Sequence, residues 1–185
     1  MNNKVDLSKF DNNWYSTGGS LLKRCLWFFC SNVFVNSYIF PFSSIKVWIL
    51  KRFGANIGKS VVVKPGVNIK YPWNLTIGHN SWIGEGVWID NLDKVVISND
   101  VCISQGAYLL CGNHNYKSTA FDLVIAPIEI NSGAWVGAKS IVCPGVKVGT
   151  HAILTLGSVA VTDLDPWCIY KGNPAEFSKQ RTLID

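Results

Sequence analysis

Charged residues are scarce in this chain, and no charge of one sign is concentrated in a run. Asp, Glu, Lys and Arg make up 16% of the 185 residues, whereas hydrophobic residues make up 48%. A disordered chain has the opposite balance. The net charge of +5 is mild, and no run of consecutive basic residues concentrates it, so nucleic acid is not an expected partner. The length suits one domain with a substantial core and an arm.

The sequence also lacks the spacings that mark metal sites and several common enzyme classes. None of its six cysteines is spaced C-x-x-C, and none has a histidine at zinc-ligand spacing. We therefore expect reduced thiols, no metal and a cytoplasmic protein. A Walker loop, a Rossmann glycine motif, a G-x-S-x-G elbow and the layout of a secretory signal are absent. Cys111 beside His114 stays open as a minor alternative nucleophile.

What the sequence does contain is a repeat of six residues. Fourteen of 15 positions spaced by six are Ile, Leu or Val, in blocks that begin at Ile57, Ile77, Ile97, Ile130 and Val148. Six residues make one short strand and one sharp turn, and three such units close a coil of about 18 residues. Stacked strands lie about 4.8 Å apart, so the inward side chains form columns. The repeat predicts an all-β solenoid of about five coils over residues 55–165. A β-sandwich would instead show a period of two.

An insertion interrupts the repeat between the third and fourth blocks. We predict a loop over residues 110–127 on one edge of the solenoid, where function is commonly carried. His114 lies near its start and is a natural general base near neutral pH. The other two histidines, His79 and His151, occupy turn positions of the repeat.

Residues 1–54 are rich in aromatic side chains and lie outside the repeat. The stretch 25–45 carries no charge, but its polar residues and central proline argue against a transmembrane helix. We predict helices over 21–39 and 43–53 that cap the open edge of the first coil. A contact with the membrane surface through the basic flanks is the alternative, at the inner face of the membrane. Residues 166–185 are predicted to form a turn, a last strand and a basic tail.

Several segments resemble the hexapeptide-repeat acyltransferases. The matching runs are Asn-His-Asn-Tyr, Ala-Pro-Ile-Glu-Ile, Gly-Ala-Trp-Val-Gly-Ala and Lys-Gly-Asn-Pro-Ala. Arg-Phe-Gly-Ala-Asn-Ile-Gly-Lys and Tyr-Pro-Trp-Asn-Leu resemble, more narrowly, the O-acetyltransferases of colanic acid biosynthesis. The resemblance implies a left-handed parallel β-helix, acetyl-CoA as donor, and a homotrimer with a site between each pair of subunits. It also implies direct transfer to a sugar hydroxyl of an exopolysaccharide, a capsule or a lipid-linked glycan.

The resemblance further implies roles for particular residues. His114 matches the general base. The acceptor contacts correspond to Asp90, Asn91 and Asn113. The cofactor contacts correspond to Trp135, Gly137, Ala138, Leu156, Gly157, Thr162 and Lys171. The amide of Ala138 would supply the oxyanion donor.

Two features of the family pattern are left open by the sequence. Thr162 stands where the family often has a lysine near the cofactor phosphates, and the substitutes are three basic residues, Lys171, Lys179 and Arg181. The group that orients His114 is a carboxylate or a carbonyl, with Asp122, Glu129 and a backbone carbonyl as candidates.

Rival functions follow from the same residues. An N-acetyltransferase of an amino sugar or nucleotide sugar would share the fold and the base. A non-catalytic scaffold would not need the His114 loop. A zinc site of the carbonic anhydrase type needs three histidines at one metal, and the three here are coils apart. Exposed aromatic residues on one face, Trp82, Trp88 and Tyr108, predict an oligomer.

Overall fold

Three parallel sheets stack the hexapeptide blocks into a three-sided prism in the computed structural model, which describes residues 4–184. The first inward residues of the coils pair in register along one sheet, in the order Ile57, Ile77, Ile97, Ile130 and Val148. All five are buried. Since no coil can bury its aliphatic face alone, this stacking forms the core, and the predicted solenoid is confirmed.

The strands of the coils are two or three residues long, because a turn follows each one. Coil 1 holds β1 (Asn56–Ile57), β2 (Val62–Val63) and β3 (Asn68–Ile69), coil 2 holds β4 (Leu75–Ile77), β5 (Trp82–Ile83) and β6 (Trp88–Asp90), and coil 3 holds β7 (Val95–Ile97), β8 (Cys102–Ile103) and β9 (Tyr108–Leu110). A hairpin of β10 (Gly112–His114) and β11 (Leu123–Ile125) follows. Coil 4 holds β12 (Ile128–Ile130), β13 (Trp135–Val136) and β14 (Ile141–Val142), coil 5 holds β15 (Lys147–Val148), β16 (Ile153–Leu154) and β17 (Val159–Ala160), and the chain ends with β18 (Cys168–Lys171) and β19 (Glu176–Gln180).

We name the prism faces A, B and C in the order in which the chain meets them, and each edge by the two faces that it joins. Five coils are complete, and part of a sixth follows. Leu164 bridges to Val148 on face A, and β18 pairs in parallel with β16 on face B. The stacking thus continues past residue 165, where the sequence predicted a turn, a last strand and a basic tail outside the solenoid. β19 then returns antiparallel along β18.

The exposed aromatic residues do not share one face, contrary to the prediction. Trp82 lies on face B, whereas Trp88 and Tyr108 lie on face C. The last two stack with their ring centroids 4.7 Å apart. The reason is the period itself, because a step of six residues carries the chain from one face to the next.

The arm contains two helices. α1 (Leu21–Cys30) continues into a π-helical turn at Ser31–Val35, and α2 (Ser43–Arg52) follows after a short connection. The first helical segment therefore ends four residues before the predicted boundary at 39. A proline at position 41 disfavours helical backbone just ahead of it. Two single turns of 3-10 helix occur at Leu7–Lys9 and Pro72–Asn74.

α2 covers the open end of coil 1 by packing on β1 and β2. Leu50 and Lys46 on this helix are fully buried. The Lys46 ammonium donates to the carbonyls of Val35, at 3.3 Å, and Lys64, at 3.0 Å. It therefore ties the arm to coil 1, and burial lowers the pKa of Lys46 because the charged form loses its water. In the part of the chain that the structure describes, no helix is both long enough and apolar enough to span a bilayer.

Two neighbouring residues of β7 allow a test of whether the inward aliphatic columns stabilise the fold. Ile97 is fully buried, whereas Val96 beside it is 37% exposed. We expect Ile97→Ala to lower the free energy of unfolding by about 2–5 kcal/mol, because it removes buried methyl groups and leaves a cavity. Val96→Ala, the matched control, should cost below about 1 kcal/mol. Equal losses in denaturant unfolding of the two variants would contradict the inward column.

Candidate active site

The insertion forms a hairpin, not an open loop, at the edge CA. β10 pairs antiparallel with β11, and His114 lies opposite Leu123. The first three coils repeat every 20 residues, so Lys70, Asp90 and Leu110 occupy equivalent positions on this edge. The hairpin therefore rises from the edge that already carries a lysine and an aspartate on the two preceding coils.

A backbone carbonyl orients His114. Its Nδ1 lies 2.8 Å from the carbonyl oxygen of Phe121. A carbonyl can only accept, so Nδ1 carries the proton and Nε2 is the basic nitrogen. The Phe121 ring stacks on the imidazole with a centroid distance of 4.9 Å. Phe121 has a φ of +59°, a conformation that is costly for a bulky residue and typical of functional sites.

The two carboxylates that were candidates for this role are engaged elsewhere or make no contact with the ring. Glu129 lies on face A, where its carboxylate is 3.1 Å from the Lys147 ammonium. The carbonyl of Asp122 accepts from the Asn115 amide at 2.8 Å and shapes the hairpin tip.

A cavity of about 780 Å³ lies beside His114. Three of the predicted site residues meet in its lining, namely Asp90, Asn113 and His114. Lys70 and Tyr71 from coil 1 and Arg24 from α1 line it too. The site thus combines a base, a carboxylate and two cations in one space.

Asp90 is the buried carboxylate of this cavity, with a side chain that is 11% exposed. The Lys70 ammonium lies 3.0 Å from its Oδ1. That contact lacks hydrogen-bonding geometry, and no other described donor reaches this oxygen. Oδ1 is itself enclosed by protein, so the ion pair with Lys70 balances its charge and only the rest of the side chain is open to a ligand. Burial and the nearby Asp90 charge raise the pKa of Tyr108 to about 12, so its phenol stays protonated.

The two asparagines expected at the acceptor take different positions. Asn91 is fully buried and does not line the cavity. Its side chain accepts from the Tyr71 amide at 2.9 Å and donates to the Tyr71 carbonyl at 2.6 Å. It therefore holds the backbone of a lining residue. Asn113 does line the cavity, and its Oδ1 accepts from the amide of His114 at 2.8 Å.

The first part of the arm, residues 4–19, contributes to the site in a way that the sequence did not predict. We call it the strap. The Asp6 amide donates to the Thr119 carbonyl on the hairpin at 2.8 Å, and the Phe10 ring lies 5.9 Å from the His114 ring. The Tyr15 hydroxyl donates to the Leu92 carbonyl at 2.8 Å. Five strap residues line the cavity, namely Phe10, Asn12, Asn13, Tyr15 and Thr17. The strap lacks periodicity, and aromatic residues outside any helix were its only signal.

Four of the predicted cofactor residues lie together on a different edge, BC. The Gly157 amide donates to the Ala138 carbonyl at 2.8 Å, which links the turns of coils 4 and 5. A Cβ on Gly137 would lie 2.5 Å from the Leu156 nitrogen, so the close contact between coils requires glycine there. Leu156 is 78% exposed and stands out from this edge.

The other three predicted cofactor residues are spread further. Trp135 lies on face B, where its Nε1 donates to the Ser104 hydroxyl at 2.8 Å. Lys171 ends β18, and Thr162 lies on edge CA two coils beyond the hairpin. None of the seven predicted cofactor residues lines the His114 cavity. One chain alone therefore does not bring the cofactor set and the base together.

Four residues remain from the sequence analysis, namely the three basic candidates for the cofactor phosphates and the alternative cysteine nucleophile. The Arg181 guanidinium donates to the carbonyls of Gly133, at 2.8 Å, and His151, at 3.0 Å, so it is already engaged. Lys171 and Lys179 are exposed. Cys111 is fully buried, and burial raises its pKa to about 12. Its thiol is therefore neutral and inaccessible, which argues against a nucleophile.

The remaining histidines lie on edge AB, away from His114. His79 Nδ1 accepts from the Lys59 amide at 3.0 Å. His151 stacks on Trp167 with a centroid distance of 4.1 Å. The three histidines therefore cannot meet at one ion. Among residues 4–184, no group of three or more His, Cys, Asp or Glu side chains is arranged to hold a metal.

Comparisons with known proteins place this geometry in context. No protein-family model matches the chain. It is 34% identical over 181 residues, 95% of this chain and 97% of the relative, to the Escherichia coli (strain K12) protein named colanic acid biosynthesis acetyltransferase WcaF. It superposes on a Vibrio cholerae hexapeptide-repeat acetyltransferase complexed with acetyl-CoA, with a TM-score of 0.79, 17% identity, and coverage of 87% and 88% of the two chains. A galactoside acetyltransferase in complex with coenzyme A gives a TM-score of 0.77, 23% identity, and coverage of 87% and 82%. The shared fold is the left-handed parallel β-helix.

The orientation of His114 yields a test in acetyl transfer. Since the Phe121 carbonyl holds Nδ1, Asp122→Asn and Glu129→Gln should each keep the rate within about 3-fold of the wild type. If a carboxylate oriented the ring, it would hold the proton on Nδ1, and its replacement by an amide would lower kcat by about 10⁴-fold. A loss of that size in either variant, measured as thiol release from acetyl-CoA, would contradict the assignment.

Proposed function

Because the chain belongs to the family of the colanic acid biosynthesis acetyltransferases, we propose that it transfers an acetyl group from acetyl-CoA to a hydroxyl of a glycan sugar. The observation that carries the proposal is the His114 imidazole, held by the Phe121 carbonyl with its basic nitrogen free, in one cavity with the Asp90 carboxylate. The acceptor is a unit of an exopolysaccharide, a capsule or a lipid-linked glycan.

His114 acts as the general base. Its Nε2 takes the proton of the acceptor hydroxyl while that oxygen attacks the thioester carbonyl. The C–O bond forms, the C–S bond breaks, and the thiolate leaving group of CoA receives the proton from the imidazolium. A positioned base contributes about 10²–10⁴-fold to such a step. Asp90 accepts a hydrogen bond from a neighbouring hydroxyl of the sugar and so fixes which hydroxyl faces His114.

The donor half of the site comes from a neighbouring copy of the chain. The cofactor set lies on edge BC and His114 on edge CA, so the two halves meet when edge BC of one subunit faces edge CA of the next. Such an interface joins two different patches, and interfaces of this kind form a ring when the rotation between subunits closes. A homotrimer with three shared sites satisfies this arrangement. The Ala138 amide would then bind the oxyanion, and Trp135, Leu156 and Gly157 would flank the pantetheine arm.

The base can be tested by thiol release from acetyl-CoA with a panel of sugar acceptors. We expect acceptor-dependent release by the wild type and a decrease of about 10²-fold or more in His114→Ala. His79→Ala, an exposed histidine on edge AB, is the matched control and should keep wild-type activity. Equal activity of the two variants would overturn the role of His114. Turnover with amino sugars alone would favour N-acetylation.

A peripheral membrane contact through the arm is also proposed, because the outer side of α1 is apolar. Leu22, Leu26, Phe29 and Val33 follow helical spacing and are all more than half exposed. Basic residues flank them, and no Asp or Glu occurs between Asn12 and Gly84. An apolar stripe with basic flanks suits the interface of an anionic bilayer. There the enzyme would meet glycans that are built on lipid carriers.

Co-sedimentation with vesicles tests this contact. We expect binding to vesicles that contain phosphatidylglycerol, weak binding to pure phosphatidylcholine, and loss of binding in Leu26→Asp/Phe29→Asp. Binding should decrease as salt is raised, because the cations are screened. Val96→Asp, which places a negative charge on face A away from the arm, is the control, and Leu26→Asp alone matches it in charge. The proposal fails if the wild type does not bind vesicles. It also fails if the double variant still binds them and differs from the wild type only in its oligomeric state.

A further inference from the structure

Two cavities meet beside α1. The cavity that contains His114 adjoins a second one of about 300 Å³, and Arg24, Lys70 and Tyr71 line both. Aromatic and amide side chains complete the second cavity, among them Trp27, Phe28, Asn36 and Asn68. Among residues 4–184, no carboxylate lines it. A continuous groove therefore leads from the base, past two cations, towards the exposed helical arm.

α1 holds Arg24 at this junction. The Trp27 indole, which is 4% exposed, donates to the Ile69 carbonyl at 3.0 Å and fixes the helix against coil 1. The Lys23 ammonium lies 4.4 Å from the centroid of the Trp73 ring and fixes the preceding turn. Arg24 lies between these two anchors in the sequence.

The two cations keep capacity to bind an anion. Within residues 4–184, the Arg24 guanidinium makes no ion pair and no side-chain hydrogen bond. Lys70 forms an ion pair with Asp90 at 3.0 Å, but an ammonium has three N–H donors, so it can still donate to an anion. Arg24 and Lys70 are both exposed residues that line the groove.

The charge pattern of the chain leaves this junction positive. Residues 12–84 hold eight Lys and Arg and no Asp or Glu, whereas the rest of the chain holds nine basic and twelve acidic residues. The arm and the first coil therefore form a cationic end of the prism. Asp90, on the second coil, is the single carboxylate that lines the groove.

We propose that Arg24 and Lys70 bind a phosphate or diphosphate group of the acceptor. The sugar then lies towards His114, and the group beyond the phosphate lies in the second cavity. A guanidinium and an ammonium side by side suit phosphoryl oxygens, because the bonds are charge-assisted. The acceptor is thus a sugar linked through phosphate, a chemistry shared by nucleotide sugars and by glycans on lipid diphosphate carriers. Its identity as an acceptor rests on the proposed function, whereas the anion site does not.

Calorimetric binding of three probes tests the site without turnover. The probes are inorganic pyrophosphate, uridine diphosphate and geranyl diphosphate, each titrated into the full chain with saturating CoA present. We expect binding by the wild type and a weakening of about 10- to 100-fold in Arg24→Gln, since a charge-assisted contact is lost. Arg52→Gln is the matched control, because this arginine lies over the Trp48 ring at 5.3 Å and lines neither cavity. Tighter binding of uridine diphosphate would identify nucleotide sugars, and tighter binding of geranyl diphosphate would identify lipid carriers.

Three results would overturn the proposal. The first is that no probe binds at millimolar concentration. The second is that Arg24→Gln and Arg52→Gln bind the probes with equal affinity. The third is that CoA displaces the probes and Arg24→Gln also binds acetyl-CoA more weakly. The last would assign the arginine to the donor. If Arg24-dependent binding is found but no acceptor supports thiol release, the proposed function fails and the anion site stands.

Discussion

In-register stacking of the coils is the constraint on which the rest of this molecule depends. Each inward aliphatic side chain lies over its counterpart one coil away, so a shift of one residue would turn a whole column outward. The same register sets what stands on the edges. Because the first three coils repeat every 20 residues, Lys70, Asp90 and the start of the hairpin are superposed on edge CA. The 20-residue repeat that builds the core therefore also places the residues of the candidate site above one another.

The parts of the structure that follow this period could be predicted from the sequence, and the parts that follow contacts between distant segments could not. The blocks from Ile57 to Val148 indicated the coils, and the interruption after the third block indicated the site. The strap carries no periodicity, and its position depends on contacts such as Tyr15 with Leu92, 77 residues away. The carbonyl that orients His114 was one of three candidates, since local backbone direction at Phe121 is not encoded in a motif.

The chemistry divides between two parts of the surface. Edge CA and the neighbouring helix α1 bring a base, a carboxylate and two cations together in one chain, and we propose that this part binds the acceptor. Edge BC presents small turn residues and the exposed Leu156, and in the proposed function it binds the donor. Neighbouring residues can have different roles. Asn91 follows Asp90 in the sequence, but both its side-chain hydrogen bonds go to the backbone of Tyr71. The cationic arm extends the acceptor half, so the groove, the helices and the apolar stripe lie on one end of the prism.

Subunit complementation tests most directly the claim that each site is shared. His114→Ala removes the base, and Ala138→Trp, at a half-buried position of edge BC, blocks the donor half while leaving the base intact. Each variant alone should be inactive. Co-expressed, they should regain roughly a quarter of the wild-type rate, the fraction of interfaces that pair two intact halves when subunits assort at random. Mixed assemblies, verified by two affinity tags, that remain inactive would contradict the account.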